Sequence, residues 1–340
     1  MDDQPKIFSA SDEQPVAINA AAAATKPLLI GPKRQHFLPQ FYLEGFTKDG
    51  VVAVFDRELN EVRVQQPINT GVIGHFYTLE DSEGRKRFEL EALLSEYEGK
   101  ASPVIRALVA KGEITAEQRI DLAIFVALAA FRTPDIIDSI KGFHSSFIGD
   151  MVKQSFADPE VVKTRMRGKP YAPSSEEELE KEAHEMVEYA QSDKYQVKTD
   201  HKWAVGMAMR MAFNVAPIFA GRNWGVIHRN NENKSFVTTD APVVLTTVTP
   251  RERNFLGIGF GNADAMVLFP LTESSVLVIY GSDGNFRHWE VSAERIRSLN
   301  LVLADRCQRF VIGREEALVR SLANHLGLAS KKWEPKMQRT

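Results

Sequence analysis

The chain has little of the chemistry on which covalent cross-links and cysteine-based metal sites depend. Its 340 residues include one cysteine, Cys307. A single thiol cannot form an intramolecular disulfide and cannot supply a cysteine-rich zinc site. One unpaired cysteine fits a reducing compartment, so we expect the protein in the cytoplasm.

Long apolar runs and a strong net charge are also missing. No segment approaches the roughly 18 consecutive apolar residues of a membrane-spanning helix, so we expect no membrane association. The formal net charge is −3 and the pI is about 6.3, which gives no overall attraction to nucleic acid or anionic lipid. The histidines show no H-x-x-H or H-E-x-x-H spacing, so no helical zinc motif is present.

The composition is that of a globular protein with one large core or two ordinary ones, since 44% of the residues are hydrophobic. Residues 1–30 show no amphipathic period, which predicts a disordered tail. Residues 31–328 are predicted to form a single domain, and residues 329–340 a C-terminal tail. Within the domain, a helical block covers about residues 87–221 and a sheet region about residues 222–313.

Capping residues mark the starts of several predicted helices. Thr115 with Gln118 forms a capping box ahead of a segment that is apolar nearly all round, which predicts a central buried helix. Ser175 and Asp200 are the predicted caps of two later helices, the first of them strongly acidic. A basic cluster has two equal interpretations, a phosphate contact or an exposed helix end; it consists of Lys163, Arg165, Arg167 and Lys169.

Alternating apolar residues predict strands at both ends of the domain. Residues 51–55 and 62–64 flank a polar loop and are typical of a β-hairpin. Beyond residue 222, consecutive strand-like segments are separated by short turns, which predicts an antiparallel sheet. The predicted fold class is therefore α+β: a central helical block packed on a C-terminal antiparallel sheet, with an N-terminal β-hairpin region.

The segment H-F-L-P-Q-F-Y-L-E-G-F at residues 36–46 is the most distinctive pattern in the chain. It resembles the opening signature H-x-x-P-Q-F-Y-L-x-x-F of a family known as domain of unknown function 4238. Further segments resemble later signatures of that family: Glu91 with Glu98, residues 131–134, residues 236–243, residues 269–271 and Asn300. The resemblance covers about residues 33–313, with Thr239 and Ala241 replacing the usual Ser and Asn. It implies kinship and no particular activity.

The candidate catalytic residues are ionisable side chains within these signatures: His36, Glu91, Glu98, Arg132 and Asp240. Glu91 and Glu98 lie two helical turns apart on one face, about 10.5 Å along the axis. They can line a groove, but they cannot both bind one metal without a third element. Asp240 ends a strand where Pro242 prevents regular pairing, so its carboxylate is expected at the sheet edge.

Two interpretations of these residues remain open. In the first, the five converge between the helical block and the sheet, where they polarise a phosphodiester or bind a cation. The protein is then a hydrolase acting on nucleic acid or a nucleotide, of the toxin or phage-defence type.

In the second interpretation, each residue has its own structural partner. His36 bonds a backbone carbonyl, Arg132 pairs with a buried glutamate, and Asp240 caps a turn. The protein is then a non-catalytic binding or interaction module with a structural polar network. Neither the residues nor the resemblance identifies a metal, a cofactor or a partner.

Overall fold

A computed structural model of the chain describes residues 31–81, 83–192, 194–247 and 258–328. The two expected tails lie outside these residues. The α+β class is confirmed, because the described chain combines helices with several largely antiparallel sheets, and the long helices follow one another between the strand-rich segments. The described helices are α1 (Gln40–Glu44), α2 (Glu89–Val109), α3 (Ala116–Phe131), α4 (Pro134–Ser155), α5 (Pro159–Met166), α6 (Glu176–Gln191), α7 (His201–Gly221), α8 (Ala293–Asp305) and α9 (Glu316–Leu326).

The described strands form two larger sheets and two short two-stranded pairs, β1 with β4 and β5 with β6. They are β1 (Arg34–His36), β2 (Val52–Asp56), β3 (Glu61–Gln65), β4 (Val72–Gly74), β5 (Leu79–Glu80), β6 (Lys86–Arg87), β7 (Asn223–Arg229), β8 (Thr238–Thr239), β9 (Val244–Thr247), β10 (Ala265–Thr272), β11 (Ser275–Tyr280), β12 (Phe286–Val291) and β13 (Phe310–Gly313). A 3₁₀ turn covers Pro67–Asn69.

The predicted helix caps are present. The Gln118 N–H donates to the Thr115 hydroxyl, and the Thr115 N–H donates to the Gln118 side chain at 2.9 Å, which completes the capping box. Ser175 and Asp200 cap α6 and α7 in the same way through their side-chain oxygens. These contacts satisfy N–H groups that a helix leaves unpaired at its start, so local sequence suffices to place the helix starts.

One helix and one side chain differ from the prediction. The short helix α5, capped by Asp158, was not predicted, because its eight residues give too brief a pattern. Lys163 within it was expected to be exposed, but it is buried. Its ammonium group lies 2.9 Å from Glu160 and 3.7 Å from Glu180, and these carboxylates offset the cost of removing the charge from water.

The main core surrounds α3, as its apolar sequence predicts. This helix packs against α2 on one side and α7 on the other, and Ala127 near its middle has no exposed surface. Among the described helices, α7 is long and apolar enough to cross a membrane by length and composition. An interior helix of a globular core meets the same criteria, so this finding decides nothing about a membrane.

The larger sheet has five strands in the order β12-β7-β11-β10-β9. The expected antiparallel pairing holds for β7 with β11, β11 with β10 and β10 with β9, whereas β12 lies parallel to β7. The chain makes several passes between these two strands, so β12 enters the sheet in the direction of β7. An alternating apolar pattern predicts that a segment forms a strand, but it does not show which strand lies beside it.

A buried histidine joins three strands of this sheet. His228 Nε2 lies 2.8 Å from His288 Nδ1 on β12, and His228 Nδ1 lies 3.0 Å from the Ser275 hydroxyl on β11. Burial, the nearby His288 and Lys111 lower the pKa of His228 to about 4. The imidazole is therefore neutral near pH 7 and works as a hydrogen-bonding link between strands.

The second sheet has four strands in the order β3-β2-β13-β8. The predicted N-terminal hairpin, β2 with β3, is present, but it is not a separate region, because β13 pairs antiparallel with β2. Helix α9 packs on this sheet and closes a second apolar core that contains Cys307. Burial raises the pKa of that thiol to about 12, so it is an inert core residue.

Candidate functional site

The residues at the end of α3 organise a buried group of polar side chains, here called the polar cluster: His36, Tyr77, Glu91, Glu98 and Arg132. Arg132 is 1% exposed, and its Nη1 donates to Glu98 Oε1 at 2.8 Å. The backbone carbonyl of Arg132 accepts a hydrogen bond from the Tyr77 hydroxyl at 2.6 Å. Arg132 thus ties α2 and the segment around Tyr77 to the junction of α3 and α4.

The two glutamates of α2 have unequal surroundings. Glu98 bonds Arg132, whereas Glu91 Oε2 is buried without a hydrogen-bond partner in the described chain. Burial raises the pKa of Glu91, the negative charge of Glu98 raises it further, and Arg132 opposes both effects. Glu91 is therefore protonated more readily than a solvent-exposed glutamate.

Three further buried atoms near this junction lack a hydrogen-bond partner among the described residues. They are Nε and Nη2 of Arg132 and the hydroxyl of Thr133. A buried donor that makes no hydrogen bond costs free energy. The junction of α3 and α4 therefore offers donors to a bound polar group as well as a structural ion pair.

His36 lies at the edge of the polar cluster. Its Nε2 lies 3.1 Å from the Ile68 carbonyl, which can only accept, so the proton of the neutral ring is on Nε2. Burial lowers the pKa of His36, and Arg34 and Arg132 add to this effect, while the Ile68 bond and Glu98 oppose it. A neutral imidazole with its Nε2 occupied has a structural role at this position.

Beside the polar cluster lies a cavity of about 380 Å³, here called the cleft. Its walls come from β2, β3 and β4, the start of α4 and the loop before β13. The residues Arg132 and Thr133 belong to the junction, and Pro134 and Asp135 directly after them line the cleft. The R-T-P segment thus connects the cluster and the cleft. The charged residues lining the cleft are Glu58, Arg63, Asp135, Asp138, Asp240 and Arg309.

Asp240 lies in the wall of the cleft rather than in the polar cluster. Its carboxylate accepts the backbone N–H groups of Gln308 at 2.9 Å and Arg309 at 2.7 Å. Burial raises the pKa of Asp240 to about 7; Asp135 raises it as well, and the backbone hydrogen bonds oppose the increase. A carboxyl group in this state exchanges a proton near neutral pH.

The two arginines of the cleft are already engaged. Buried Asp56 accepts from Arg63 Nη2 at 2.8 Å and from Arg309 Nη2 at 2.9 Å. Burial alone would raise the pKa of Asp56, but the Arg309 hydrogen bond and charge outweigh it and hold that pKa below its usual value. Arg309 also lies 2.5 Å from Glu58. Neither guanidinium group is left as a dedicated anion site.

The cleft therefore favours positive charge. Four carboxyl groups and two guanidinium groups line it, and both guanidinium groups are bound to carboxylates. Gln65, Asn69 and Phe37 also belong to the lining. Within the described residues, no group of three or more His, Cys, Asp or Glu side chains is arranged to hold a metal ion.

The sequence segments that resemble the family signatures contact one another and stabilise the fold. The Tyr42 hydroxyl lies 2.7 Å from the Thr238 hydroxyl, and its ring stacks on Phe269 at 5.2 Å. Asn300 donates to the Ser235 carbonyl at 2.8 Å and accepts from the Val237 N–H at 3.1 Å. These contacts position the segment that carries Asp240.

Four of the five candidate residues act on one another electrostatically: His36, Glu91, Glu98 and Arg132. The hydrogen bonds of Asp240 go instead to the segment of Gln308 and Arg309 before β13.

The sequence analysis did not identify three residues of the site: Tyr77, Thr133 and Asp56. Thr133 had a usable signal, since it lies between Arg132 and Pro134 in the R-T-P segment, but Asp56 gave none, because its partner Arg309 is 253 residues away.

Comparison with known proteins gives a family and no activity. A family model described as "Protein of unknown function (DUF4238)" matches residues 34–317. No curated protein and no solved structure matches the chain significantly.

Proposed function

This chain belongs to the DUF4238 family, and we propose that it is a binding module whose cleft takes a small organic cation such as an aliphatic amine. The observation that carries the proposal is the acidic lining of the cleft, in which both arginines are already paired with carboxylates. Asp135, Asp138 and Asp240 make the lining negative, with Asp138 also paired to Lys141 at 2.6 Å, and a negative lining attracts an ammonium group.

The contacts of the polar cluster and those of Asp240 in the cleft wall support this interpretation. His36 bonds the Ile68 carbonyl, Arg132 pairs with Glu98, and Asp240 accepts two backbone N–H groups. Each is a structural contact, and together they fix the R-T-P junction and the loop that form two walls of the cleft. The cluster thus serves as the support of a binding site. A reduced, buried Cys307 is consistent with the cytoplasm as its location.

Ligand binding at Asp240 should be linked to proton release. The pKa of Asp240 is about 7 in the protein without ligand. A bound cation stabilises the ionised carboxylate and lowers that pKa, so binding near pH 7 releases part of a proton. Release is greatest near neutral pH and disappears well above it, where the group is already ionised.

The test is titration calorimetry with putrescine and spermidine as probes, and with inorganic phosphate and AMP as anionic counterparts. We expect binding of the amines only, with an apparent enthalpy that changes with the ionisation enthalpy of the buffer. Asp135→Asn should weaken amine binding at least about tenfold. The matched control is Asp150→Asn, on the exposed side of the same helix, which should leave affinity unchanged. Binding of AMP in preference to the amines would overturn the proposal.

The second candidate function is the hydrolase acting on nucleic acid or a nucleotide, including the toxin or phage-defence type. The observation that favours it is the same Asp240, since a carboxyl group with a pKa of about 7 suits general acid–base catalysis. Its test is incubation with DNA, RNA, ATP and GTP, together with growth of cells expressing the protein. Cleavage or growth arrest that Asp240→Asn abolishes, in a chain that still melts cooperatively, would establish this candidate over the first.

A further inference from the structure

A second and larger cavity lies on the helical block, away from the residues of the cleft. It has a volume of about 900 Å³ and is here called the groove. Its lining includes Val152 and Phe156 at the end of α4, Met186 and Tyr189 on α6, and Tyr195 after α6. None of these residues lines the cleft, so the groove is a separate surface.

The walls of the groove are fixed by specific contacts. The Gln191 side chain donates to the Lys153 carbonyl at 2.7 Å and joins the ends of α6 and α4. The Tyr195 hydroxyl donates to the Ala190 carbonyl at 2.9 Å, and its ring stacks on Tyr189 at 5.5 Å. The trough between two helices is therefore preformed, and a partner need not open it.

The groove exposes apolar surface that a folded protein usually buries. Met186 is 39% exposed and Tyr189 is 54% exposed. Phe156 and Val152 add apolar surface from the end of α4 to the same lining. Exposed apolar surface gathered in a trough marks a site of protein interaction.

Acidic residues border the apolar floor. Glu182, Glu185 and Glu188 line the groove from α6, while Lys194 is the one basic residue in the lining that the structure describes. An apolar trough between two helices with a negative rim is complementary to a helix with one apolar face and positively charged flanks.

From this complementarity we propose that the groove docks a basic amphipathic helix of a partner protein. The apolar side chains of that helix, spaced at i, i+3, i+4 and i+7, fill the trough between α4 and α6. Its lysines or arginines flank the seam and meet Glu182, Glu185 and Glu188. This interaction is independent of the amine proposed for the cleft.

The experiment measures fluorescence anisotropy of labelled peptides of about 18 residues, or five helical turns. The probe carries leucines at i, i+3, i+4 and i+7 and lysines elsewhere. One comparison peptide has the same composition in scrambled order, and another has glutamate in place of every lysine. The full-length chain should bind the amphipathic lysine peptide at least about tenfold more tightly than either comparison peptide.

Five variants locate the binding surface. Met186→Glu, and separately Tyr189→Glu, should weaken binding at least about tenfold, whereas Ile120→Glu should not, although Ile120 is similarly exposed at 53% on another helix. The double change Glu185→Gln and Glu188→Gln should reduce the salt dependence of binding. The control double change Glu177→Gln with Glu178→Gln, on the first turn of the same helix, should reduce the salt dependence of binding less. Thermal melts confirm that each variant is folded.

Several outcomes would overturn the proposal. Equal binding of the scrambled peptide would show general adsorption, and unchanged affinity in both Met186→Glu and Tyr189→Glu would place the peptide elsewhere. Loss of a self-association in those variants, seen by light scattering, would identify a second copy as the occupant. Displacement of the probe by a peptide of residues 329–340, which contains Lys331, Lys332 and Trp333, would identify the chain's own C-terminal segment.

Discussion

Arg132 Nη1 donates to Glu98 Oε1 across 2.8 Å, and this bond links the end of α3 to the middle of α2. Arg132 is almost completely buried, while Glu98 retains 24% of its side-chain exposure. The main ion-pair partner of the buried Arg132 is thus Glu98, whose carboxylate is still partly exposed to water. Removing that partner leaves the buried cation without its hydrogen-bonded carboxylate.

We therefore predict that Glu98→Ala lowers the free energy of unfolding by roughly 3–5 kcal/mol, as expected for breaking a buried pair from one side. Urea unfolding monitored by circular dichroism measures this loss. The matched control is Glu96→Ala on the same helix, which removes an exposed pair with Lys100 and should cost less than about 1 kcal/mol. Equal, small losses in the two variants would show that Arg132 needs no partner.

A double variant tests whether the buried charge of Arg132 causes the loss of stability in Glu98→Ala. Arg132→Met combined with Glu98→Ala removes both members of the pair and replaces the buried cation by an apolar side chain. The double variant should be more stable than Glu98→Ala alone, because the uncompensated charge is gone. A double variant that is less stable than Glu98→Ala would show instead that the packing of the Arg132 side chain dominates.

Asp240 should make the protein less stable as pH rises. Its pKa increases from 3.8 to about 7 on folding, so between these values the folded state holds a proton that the unfolded state has released. The contribution of this group to stability is complete below pH 3.8 and is lost as pH rises to about 7. The stability difference between wild type and Asp240→Asn should therefore shrink from pH 4 to pH 7.

Urea unfolding at several pH values measures this trend. Asp150→Asn is the control, because it removes an exposed carboxylate from α4 and should keep a constant difference from wild type. A stability difference for Asp240→Asn that grows with pH would mean that Asp240 is ionised in the folded state throughout this range.

His228 should make the protein less stable as pH falls, which is the opposite of the effect of Asp240. Its pKa falls from 6.5 to about 4 on folding, so the unfolded state binds more protons between these values. The stability from this group is complete above pH 6.5 and is lost as pH falls towards 4. His228→Gln should therefore flatten the acid side of the stability profile, whereas His325→Gln on α9 should leave it unchanged. A His228→Gln profile parallel to wild type would disprove the linkage.

Ala127 in α3 should tolerate no enlargement. It has no exposed surface and lies in the helix around which the main core is built, so Ala127→Leu should cost roughly 1–3 kcal/mol through overpacking. The control is Ala116→Leu at the exposed start of the same helix, which should be nearly neutral. A neutral Ala127→Leu, judged from the denaturant midpoint, would contradict the close packing of α2, α3 and α7.

The parts of the fold that depend on nearby residues could be predicted from the sequence. The box formed by Thr115 and Gln118, the caps at Ser175 and Asp200 and the hairpin of β2 with β3 all involve groups within a few residues of each other. Their geometry follows from the residue types alone. Strand partners that arrive after several passes of the chain, as β12 does beside β7, leave no such local pattern.

The candidate site also contains some features that nearby residues predict and others that depend on residues far apart in sequence. The spacing of Glu91 and Glu98 predicts a shared helix face, and the structure places both beside Arg132. The sequence could not show that Asp56 neutralises the arginines of the cleft, because this depends on Arg309. The sign of the charge that the cleft prefers therefore became evident only when distant residues were brought together.

The pairing of β13 with β2 has a consequence for how the protein is made in the cell. Arg57, just after β2, bonds the carbonyl of Gln308 across 251 residues of sequence. On a ribosome, the hairpin of β2 and β3 emerges well before β13, so one edge of β2 has no native partner until β13 has been translated. Until then, an open strand edge is available to other nascent chains. The second sheet is therefore completed only after β13 has emerged, and chains that stop before β13 are the ones most exposed to aggregation and to chaperones.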